Sequence, residues 1–168
     1  MRFLNFIQKK DKNIQWRLFA GSFLTSPTIS KLTETWPRQA RIDALKNPIH
    51  RAYYRFLLFT GLRRSEAARL RWEDLHPDHL HLPMTKNGRP FDLPVLARHH
   101  EIVAPLRDLG REWVFPSPGV ENKPLRTPGR LDWPPPAHRR TFATVAVEAG
   151  LLEEVVGRLL NHTPLSVT

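Results

Sequence analysis

Four side chains in the last two thirds of this sequence have the chemistry needed to handle phosphate: Arg63, Lys86, Arg139 and His162. An arginine presents a planar fork that matches phosphate oxygens, and it stays charged at any working pH. A histidine donates a hydrogen bond or transfers a proton near neutral pH, and a lysine can protonate a leaving oxygen. Together, such groups would stabilise the negative charge that develops on phosphorus during phosphoryl transfer.

The sequence offers no obvious nucleophile to accompany these groups. Its only tyrosines, Tyr53 and Tyr54, precede all four residues and lie in an apolar run, which favours a core or supporting role. The absence of cysteine excludes disulfides, thiolate zinc sites and a cysteine nucleophile. An attacking oxygen is therefore not predicted within these 168 residues.

Apolar residues at spacings of three and four predict a helical region over 36–59. The same criterion predicts helices over 65–72, 141–149 and 152–160, with Gly150 as a C-terminal stop. Seven of the sixteen prolines fall within 116–136, which excludes a long helix there.

The clearest strand signal is the alternation of leucine with histidine over 79–82, followed by Asn87-Gly88 and a second short apolar run at 91–93. Asn-Gly favours a type I′ turn, which needs positive φ at both central residues. This pattern predicts a β-hairpin with Lys86 beside its tip. The predicted fold class is mainly α with a small antiparallel β-hairpin sheet.

Composition limits the classes of partner. The chain has 168 residues, 40% of them hydrophobic, and a net charge of +10, which indicates one globular domain that favours a polyanion. Nucleic acid fits best; an anionic membrane is the next candidate, and a basic soluble domain without a polyanionic partner is the remaining alternative. The sequence has neither a signal peptide nor an apolar stretch of about 18 residues, so we expect a soluble cytoplasmic protein without a membrane partner.

Two groups of residues have more than one interpretation. His76, His79 and His81 suggest a metal site, but they lack an accompanying carboxylate or thiolate set, so a solvated strand face is favoured. No metal or other cofactor is predicted. Arginines 64, 69 and 71 either contact phosphates or keep a helix face soluble, and the sequence leaves both readings open.

Four segments carry a resemblance to a known family. The segments 56–66, 85–90, 139–144 and 159–162 resemble, in order and spacing, the first arginine, lysine hairpin, second arginine and late histidine motifs of the tyrosine recombinases, or phage integrases. The resemblance covers residues 36–168, which would form the catalytic domain. Residues 1–35 would be a linker or remnant segment, too short for the separate helical domain that usually precedes it.

The resemblance implies roles for the residues introduced above. Arg63 and Arg139 would clamp the non-bridging oxygens of a scissile DNA phosphate, with Glu66 as a supporting residue. Lys86 would act as general acid toward the leaving 5′ oxygen, and His162 would hydrogen-bond the phosphate. In this family a tyrosine attacks phosphorus to give a 3′-phosphotyrosyl link and a 5′ hydroxyl, and neither ATP nor a metal is required.

The resemblance also implies partners. The substrate would be double-stranded DNA, with Arg64, Arg89 and Arg140 as candidate further contacts and a homo-oligomer assembled on the DNA. The biological reaction would be DNA recombination during integration or excision of a mobile element such as a prophage. Type IB topoisomerases share the chemistry but match these motifs less well.

Two departures from the family pattern bear on activity. Pro136 stands where a histidine usually precedes the second arginine by three positions, and the adjacent His138 points elsewhere on a helix. By the family's spacing, the tyrosine falls just beyond Thr168, so we expect a C-terminally truncated domain. The expected function is a recombinase-like, DNA-binding domain with impaired strand cleavage. The alternative is a non-catalytic DNA-binding remnant of a decayed element.

Overall fold

The computed structural model describes residues 37–126 and 137–162 of the chain. In chain order the described elements are α1 Pro37–Asp43, α2 Pro48–Thr60, α3 Arg64–Ala68, a 3-10 turn Trp72–Asp74, β1 His79–Leu82, β2 Phe91–Pro94, α4 Ala97–Arg107, α5 Ala137–Glu148 and α6 Glu153–Leu159. The predicted fold class is confirmed. The predicted boundary after residue 35 and the departure at Pro136 lie outside the described residues. No described helix is both long and apolar enough to span a bilayer.

Helix α2 forms the centre of the core. Phe56, Leu57 and Leu58 are almost completely buried, and α4 and α5 both pack against this helix. Its first turn is capped by the Asn47 side chain, whose Oδ1 accepts the Ile49 N–H at 2.9 Å. The predicted helical region over 36–59 is therefore two helices, because Asn47 precedes a proline and takes an extended conformation that ends helical geometry.

The two strands pair antiparallel, with Leu80 opposite Leu93 on the buried face. The connecting turn differs from the predicted type I′, because Gly88 has a positive φ of 69° and Asn87 does not. Instead, the Gly88 N–H donates to the carbonyl oxygen of Thr85 at 2.9 Å, so glycine is the fourth residue of the turn. Lys86 is the second residue of this turn, and its side chain is exposed.

Helix α3 is shorter than predicted, since it ends at Ala68 rather than continuing to Trp72. Beyond it the chain runs alongside the 112–114 segment: the Val114 N–H donates to Leu70 O at 2.9 Å and the Trp72 N–H to Glu112 O at 3.2 Å. These inter-segment hydrogen bonds satisfy the backbone that a longer helix would have satisfied internally. Tertiary pairing therefore overrides the local helical pattern.

Helix α4 was not predicted, because its apolar residues do not follow a clear helical stripe and Pro105 lies inside it. Its N-terminus is capped from within by His99, whose Nδ1 accepts the Leu96 N–H at 2.9 Å. The predicted helix over 141–149 begins earlier, at Ala137. Its predicted stop is confirmed: Gly150 has a φ of 93°, and its N–H donates to Val147 O at 2.8 Å.

Candidate phosphate-binding site

Arg63 lies immediately before α3 and is held by one carboxylate. The largely buried Glu66 accepts the Arg63 backbone N–H at 3.0 Å and its Nη1 at 3.1 Å. Because a guanidinium has five N–H donors, this arrangement orients the side chain and leaves donors for a ligand. The carboxylate also lies in the first turn of α3, where the helix dipole favours a negative charge.

Arg139 lies in the first turn of α5 and connects the ends of two other helices. Its Nη1 donates to Gly61 O at 2.8 Å, and its Nη2 donates to Leu160 O. Burial, followed by repulsion from Arg63, lowers the pKa of Arg139 to about 10, while Glu66 acts in the opposite direction. The guanidinium therefore remains charged at neutral pH, although it faces a second arginine.

Gly61 permits this close approach. It has a φ of 64°, and a Cβ placed on it would lie 2.6 Å from Leu160 Cδ2 and 2.7 Å from Phe142 Cδ1. Helices α5 and α6 therefore pack directly on the backbone at this position. Only glycine combines this left-handed backbone with the missing side chain, so it brings Arg139 within reach of the Gly61 carbonyl.

His162 follows α6 through a C-terminal cap of the Schellman type. Asn161 takes a left-handed φ of 50°, and the His162 N–H donates to Gly157 O at 2.8 Å. Partial burial of the imidazole, then the charges of Arg139 and Arg63, lower the pKa of His162. The ring is therefore mainly neutral at pH 7, and it lies within electrostatic range of both arginines.

Lys86 lies on a turn that contacts the loop before His162. The Asn87 side chain donates from Nδ2 to the backbone oxygen of Asn161 at 3.2 Å. This contact between residues distant in sequence joins the hairpin tip to the end of α6. The structure thus gathers Arg63, Arg139 and His162 at one place and holds the turn that carries Lys86 against its edge.

The candidate DNA contacts occupy different positions. Arg64 is half-buried beside Arg63, whereas Arg89, after the hairpin turn, and Arg140, on α5, are exposed. The sequence left Arg71 as either a phosphate contact or a solubilising residue. In the structure it interacts with other residues of the protein. It pairs with Glu112, and its guanidinium carbon lies 4.7 Å from the centre of the Trp113 ring.

Arg63 and Arg139 also line a groove of about 1090 Å³ bounded by α2, α3, α5 and the 123–126 segment. The cationic residues that line it are Arg63, Arg64, Arg69, Lys123, Arg126 and Arg139. Among its described lining residues there is no aspartate or glutamate. Lys123 and Arg126 were not identified from the sequence, because they lie in a proline-rich segment outside every recognisable motif.

Two other polar side chains that line the groove, His138 and Tyr53, form hydrogen bonds within the protein. His138 is buried, with Nε2 3.0 Å from Leu62 O, and burial is the main cause of its lowered pKa. Tyr53 is also buried, and its hydroxyl donates to the Arg64 carbonyl at 2.9 Å. Burial raises the pKa of Tyr53 to about 12 and also raises that of Tyr54. The predicted core role of both tyrosines is confirmed.

The hairpin histidines form local pairs. His79 Nδ1 lies 2.7 Å from Asp78 Oδ1, and His81 Nδ1 lies 2.7 Å from Asp92 Oδ1. The His76 ring stacks on that of His79 with 4.3 Å between centres. Within residues 37–126 and 137–162, no three histidine, cysteine or acidic side chains form a group that could hold a metal ion.

The chain is similar to known integrases. It is 29% identical over 153 aligned residues to the prophage integrase IntF of Escherichia coli (strain K12), covering 73% of this chain and 30% of that protein. The chain therefore spans less than a third of that curated relative. No protein-family model matches it.

Solved structures show the same fold at lower identity. A lambda integrase tetramer bound to a Holliday junction aligns with a TM-score of 0.53 and 17% identity, covering 84% of this chain and 46% of that one. The lambda integrase catalytic core aligns with a TM-score of 0.50 and 18% identity, covering 81% and 90% respectively. The ordered motifs, the sequence match and the shared catalytic-core fold together make this chain similar to the tyrosine recombinases, or phage integrases.

Proposed function

We propose that this chain binds double-stranded DNA and grips one backbone phosphate with Arg63, Arg139 and His162. The observation that carries the proposal is the convergence of two guanidinium groups and an imidazole from three separate parts of the chain. Each arginine lowers the pKa of His162, and Arg63 lowers that of Arg139. A phosphodiester between them replaces this repulsion with attraction. The DNA-bound state of a structural relative supports the same ligand.

The chemistry that fits this geometry is strand cleavage and rejoining. Arg63 and Arg139 hold the non-bridging oxygens while a tyrosine hydroxyl oxygen attacks phosphorus and releases its proton to solvent. The bond from phosphorus to the 5′ oxygen breaks, and Lys86 gives that oxygen its proton. The products are a 3′-phosphotyrosyl link and a 5′ hydroxyl, and the reverse attack rejoins the strand. Bond energy is retained in the link, so the proposed reaction uses neither ATP nor a metal.

The attacking tyrosine has to come from outside the 168 residues. Tyr53 and Tyr54 are buried in the core, and the Tyr53 hydroxyl is already a donor to a backbone carbonyl. A further segment of the polypeptide, or another chain that carries an accessible tyrosine, would supply it. The same observation favours a second candidate function: DNA binding without cleavage. Pro136 in the place of a family histidine supports that candidate as well.

The biological setting belongs to the same proposal. Residues 36–168 would form the catalytic domain of a larger recombination system acting on the DNA of a mobile element in the cytoplasm. Arg89 and Arg140 are exposed on the two elements that carry Lys86 and Arg139, and both would contact DNA more weakly than the central pair. Assembly on DNA as a homo-oligomer follows the arrangement of the structural relative, a tetramer.

The proposal is tested by comparing Arg63→Ala and Arg139→Ala with Arg140→Ala for affinity toward a short DNA duplex. We expect each of the first two to weaken binding about 10-fold or more, since hydrogen bonds to charged groups contribute about 1.5–3 kcal/mol. Arg140→Ala should have a smaller effect, because its side chain is exposed and lies off the cluster.

Folding is controlled separately, because Arg139 also bonds two backbone carbonyls. Arg139→Lys retains the charge but not the planar fork that serves both carbonyls, so it should bind more weakly than the parent, and its thermal unfolding shows whether it is still folded at the assay temperature. Equal losses from Arg63→Ala, Arg139→Ala and Arg140→Ala would mean diffuse attraction and would contradict an assembled phosphate site.

A further inference from the structure

The groove beside the candidate site is larger than one phosphate requires. Its volume of about 1090 Å³ is at the upper end of what binds an entire drug-sized molecule. Arg63 and Arg139 occupy one part of its lining, and the rest of its cationic surface comes from Arg64, Arg69, Lys123 and Arg126. The positive lining therefore continues well past the pair that would hold the reacting phosphate.

The backbone that carries Lys123 and Arg126 is attached to the hydrophobic core. Leu125, between Lys123 and Arg126, is buried, and its N–H donates to Phe115 O at 2.8 Å. The Ser117 N–H donates to Lys123 O, also at 2.8 Å. Because both bonds use backbone atoms, the side chains of Lys123 and Arg126 are directed by fixed backbone and are exposed toward solvent.

Arg69, Lys123 and Arg126 differ in their ion pairing from surface arginines elsewhere on the chain. Arg55, Arg98 and Arg158 each form an ion pair with a carboxylate, at 2.6, 3.3 and 2.6 Å. In the described parts of the chain, no carboxylate forms an ion pair with Arg69, Lys123 or Arg126. Unneutralised cations gathered along one groove attract a polyanion, whereas neutralised ones do not.

We propose that Arg69, Lys123 and Arg126 form a second phosphate-binding stretch, which holds the DNA backbone phosphates that flank the one at Arg63 and Arg139. This inference rests on the proposed DNA binding and adds the path of the bound strand along the groove. The ligand class is the sugar-phosphate backbone rather than the bases. Such contacts fix the register of the duplex and carry no sequence information directly.

The salt dependence of DNA binding measures how many phosphates the protein neutralises. Affinity for an arbitrary duplex is determined by fluorescence anisotropy between roughly 50 and 200 mM salt, where each neutralised phosphate contributes about −0.9 to the slope of log K against log salt. The triple variant Arg69→Gln, Lys123→Gln, Arg126→Gln should make that slope shallower by up to about 2.7, three such contributions. Substituting a different duplex sequence should not alter the size of this change.

Two matched variants make the result specific. The triple variant Arg55→Gln, Arg98→Gln, Arg158→Gln removes the same formal charge from paired positions and should leave the slope close to that of the parent. The charge-retaining variant Arg69→Lys, Lys123→Arg, Arg126→Lys should keep the parental slope if charge, rather than folding, is responsible. Thermal unfolding of all three checks that each is folded.

The outcomes distinguish the two levels of the proposal. A parent chain that binds no DNA, or binds with no salt dependence, overturns the proposed function itself. A parent that binds with a steep slope, together with equal changes in the groove variant and the paired-charge variant, overturns the second stretch alone. A loss confined to the groove variant, with recovery in the charge-retaining one, supports it.

Discussion

Arg63 and Arg139 are oriented by opposite kinds of partner. A buried carboxylate fixes Arg63, so that side chain shares its charge with Glu66. Two backbone carbonyls fix Arg139, which keeps its full charge next to another cation. The carboxylate contact fixes the direction of the Arg63 side chain. The carbonyl contacts leave the positive charge of Arg139 without a hydrogen-bonded carboxylate, which strengthens its electrostatic attraction for an anion. At the scale of single residues, the site therefore combines one guanidinium that is hydrogen-bonded to a carboxylate with one that is hydrogen-bonded to backbone carbonyls.

Gly61 provides the first prediction at this scale. Gly61→Ala should destabilise the fold by about 1–2 kcal/mol for the left-handed backbone and by a further ~1–3 kcal/mol for overpacking against Leu160 and Phe142. Gly110→Ala is the matched control, since it has a similar φ of 61° and open space around it. Chemical denaturation of both variants isolates the packing contribution as their difference. Equal destabilisation would show that close packing at Gly61 is unimportant.

The second residue-scale prediction concerns covalent chemistry. The 168-residue chain should bind a nicked suicide substrate without forming a covalent adduct, because a nucleophile has to lie in line with the leaving group. Tyr53 and Tyr54 are buried, and the Tyr53 hydroxyl, although it lines the groove, already donates to the Arg64 carbonyl. Denaturing electrophoresis after incubation with labelled DNA is the measurement. An adduct that disappears in Tyr53→Phe or Tyr54→Phe would contradict this account of the core tyrosines.

At the scale of elements, the end of α6 and the hairpin turn depend on one backbone conformation. Asn161 is left-handed, its carbonyl accepts from Asn87, and it directs the chain into His162. Asn122 has nearly the same φ, 49° against 50°, but lies in a surface turn away from both contacts. Asn122 is therefore a control for the stability cost of a left-handed asparagine, because it makes neither of the contacts of Asn161.

We therefore predict that Asn161→Ala and Asn122→Ala each cost about 1 kcal/mol of stability, and that Asn161→Ala also weakens DNA binding. Asn161→Gly should restore both properties, since glycine takes a left-handed backbone freely. The measurements are denaturant unfolding and duplex affinity at fixed salt. Parental affinity in a folded Asn161→Ala variant would show that the backbone at Asn161 does not position His162.

Elements with strong local signals were predictable from sequence. The hairpin strands, helix α6 and the stop at Gly150 all follow from residue pattern and turn chemistry, and the structure bears them out. Helix α4 could not be predicted, because its cap is a histidine, His99, and its apolar stripe is weak. The end of α3 was missed because pairing with the 112–114 segment, which is distant in sequence, decides where that helix stops.

The candidate site was predictable only in part, for the same physical reason. Its central residues lie in motifs that can be recognised one at a time, and the structure gathers Arg63, Arg139 and His162. Lys123 and Arg126 have no motif. They join the groove because the 116–125 segment folds back through backbone hydrogen bonds onto Phe115. No pattern in the neighbouring sequence predicts such a contact.

At the scale of the whole molecule, stability should fall in mild acid. His99 is fully buried between α2 and α4, with Nδ1 accepting from Leu96 and Nε2 3.3 Å from the Phe59 carbonyl. Protonation would place a donor against the Leu96 N–H. Burial accordingly lowers the pKa of His99 to about 4 from its usual 6.5, although the Phe59 bond opposes this. The unfolded chain therefore takes up this proton first as the pH falls.

The predicted pH dependence has a definite sign and range. The His99 contribution is complete above pH 6.5 and is lost as the pH falls from 6.5 toward about 4, at up to about 1.4 kcal/mol per pH unit. His138 has a lowered pKa for the same main reason and acts in the same direction. Urea unfolding across this range should show a smaller slope for His99→Gln, with His100→Gln as the control that retains it. An unchanged slope in His99→Gln would contradict the prediction.

The two carbonyl bonds of Arg139 also have a consequence for conformational entropy. A long arginine side chain that is free in solution loses rotamer freedom when it binds a ligand, at roughly 0.5–1.5 kcal/mol per immobilised side chain. Arg139 is already confined by Gly61 and Leu160 before any phosphate arrives. That loss therefore occurs when the chain folds rather than when it binds. For this reason the packing around Gly61, which stabilises the fold, also fixes Arg139 in place before it binds phosphate. Fold stability at Gly61 and affinity at Arg139 therefore both depend on this preorganisation.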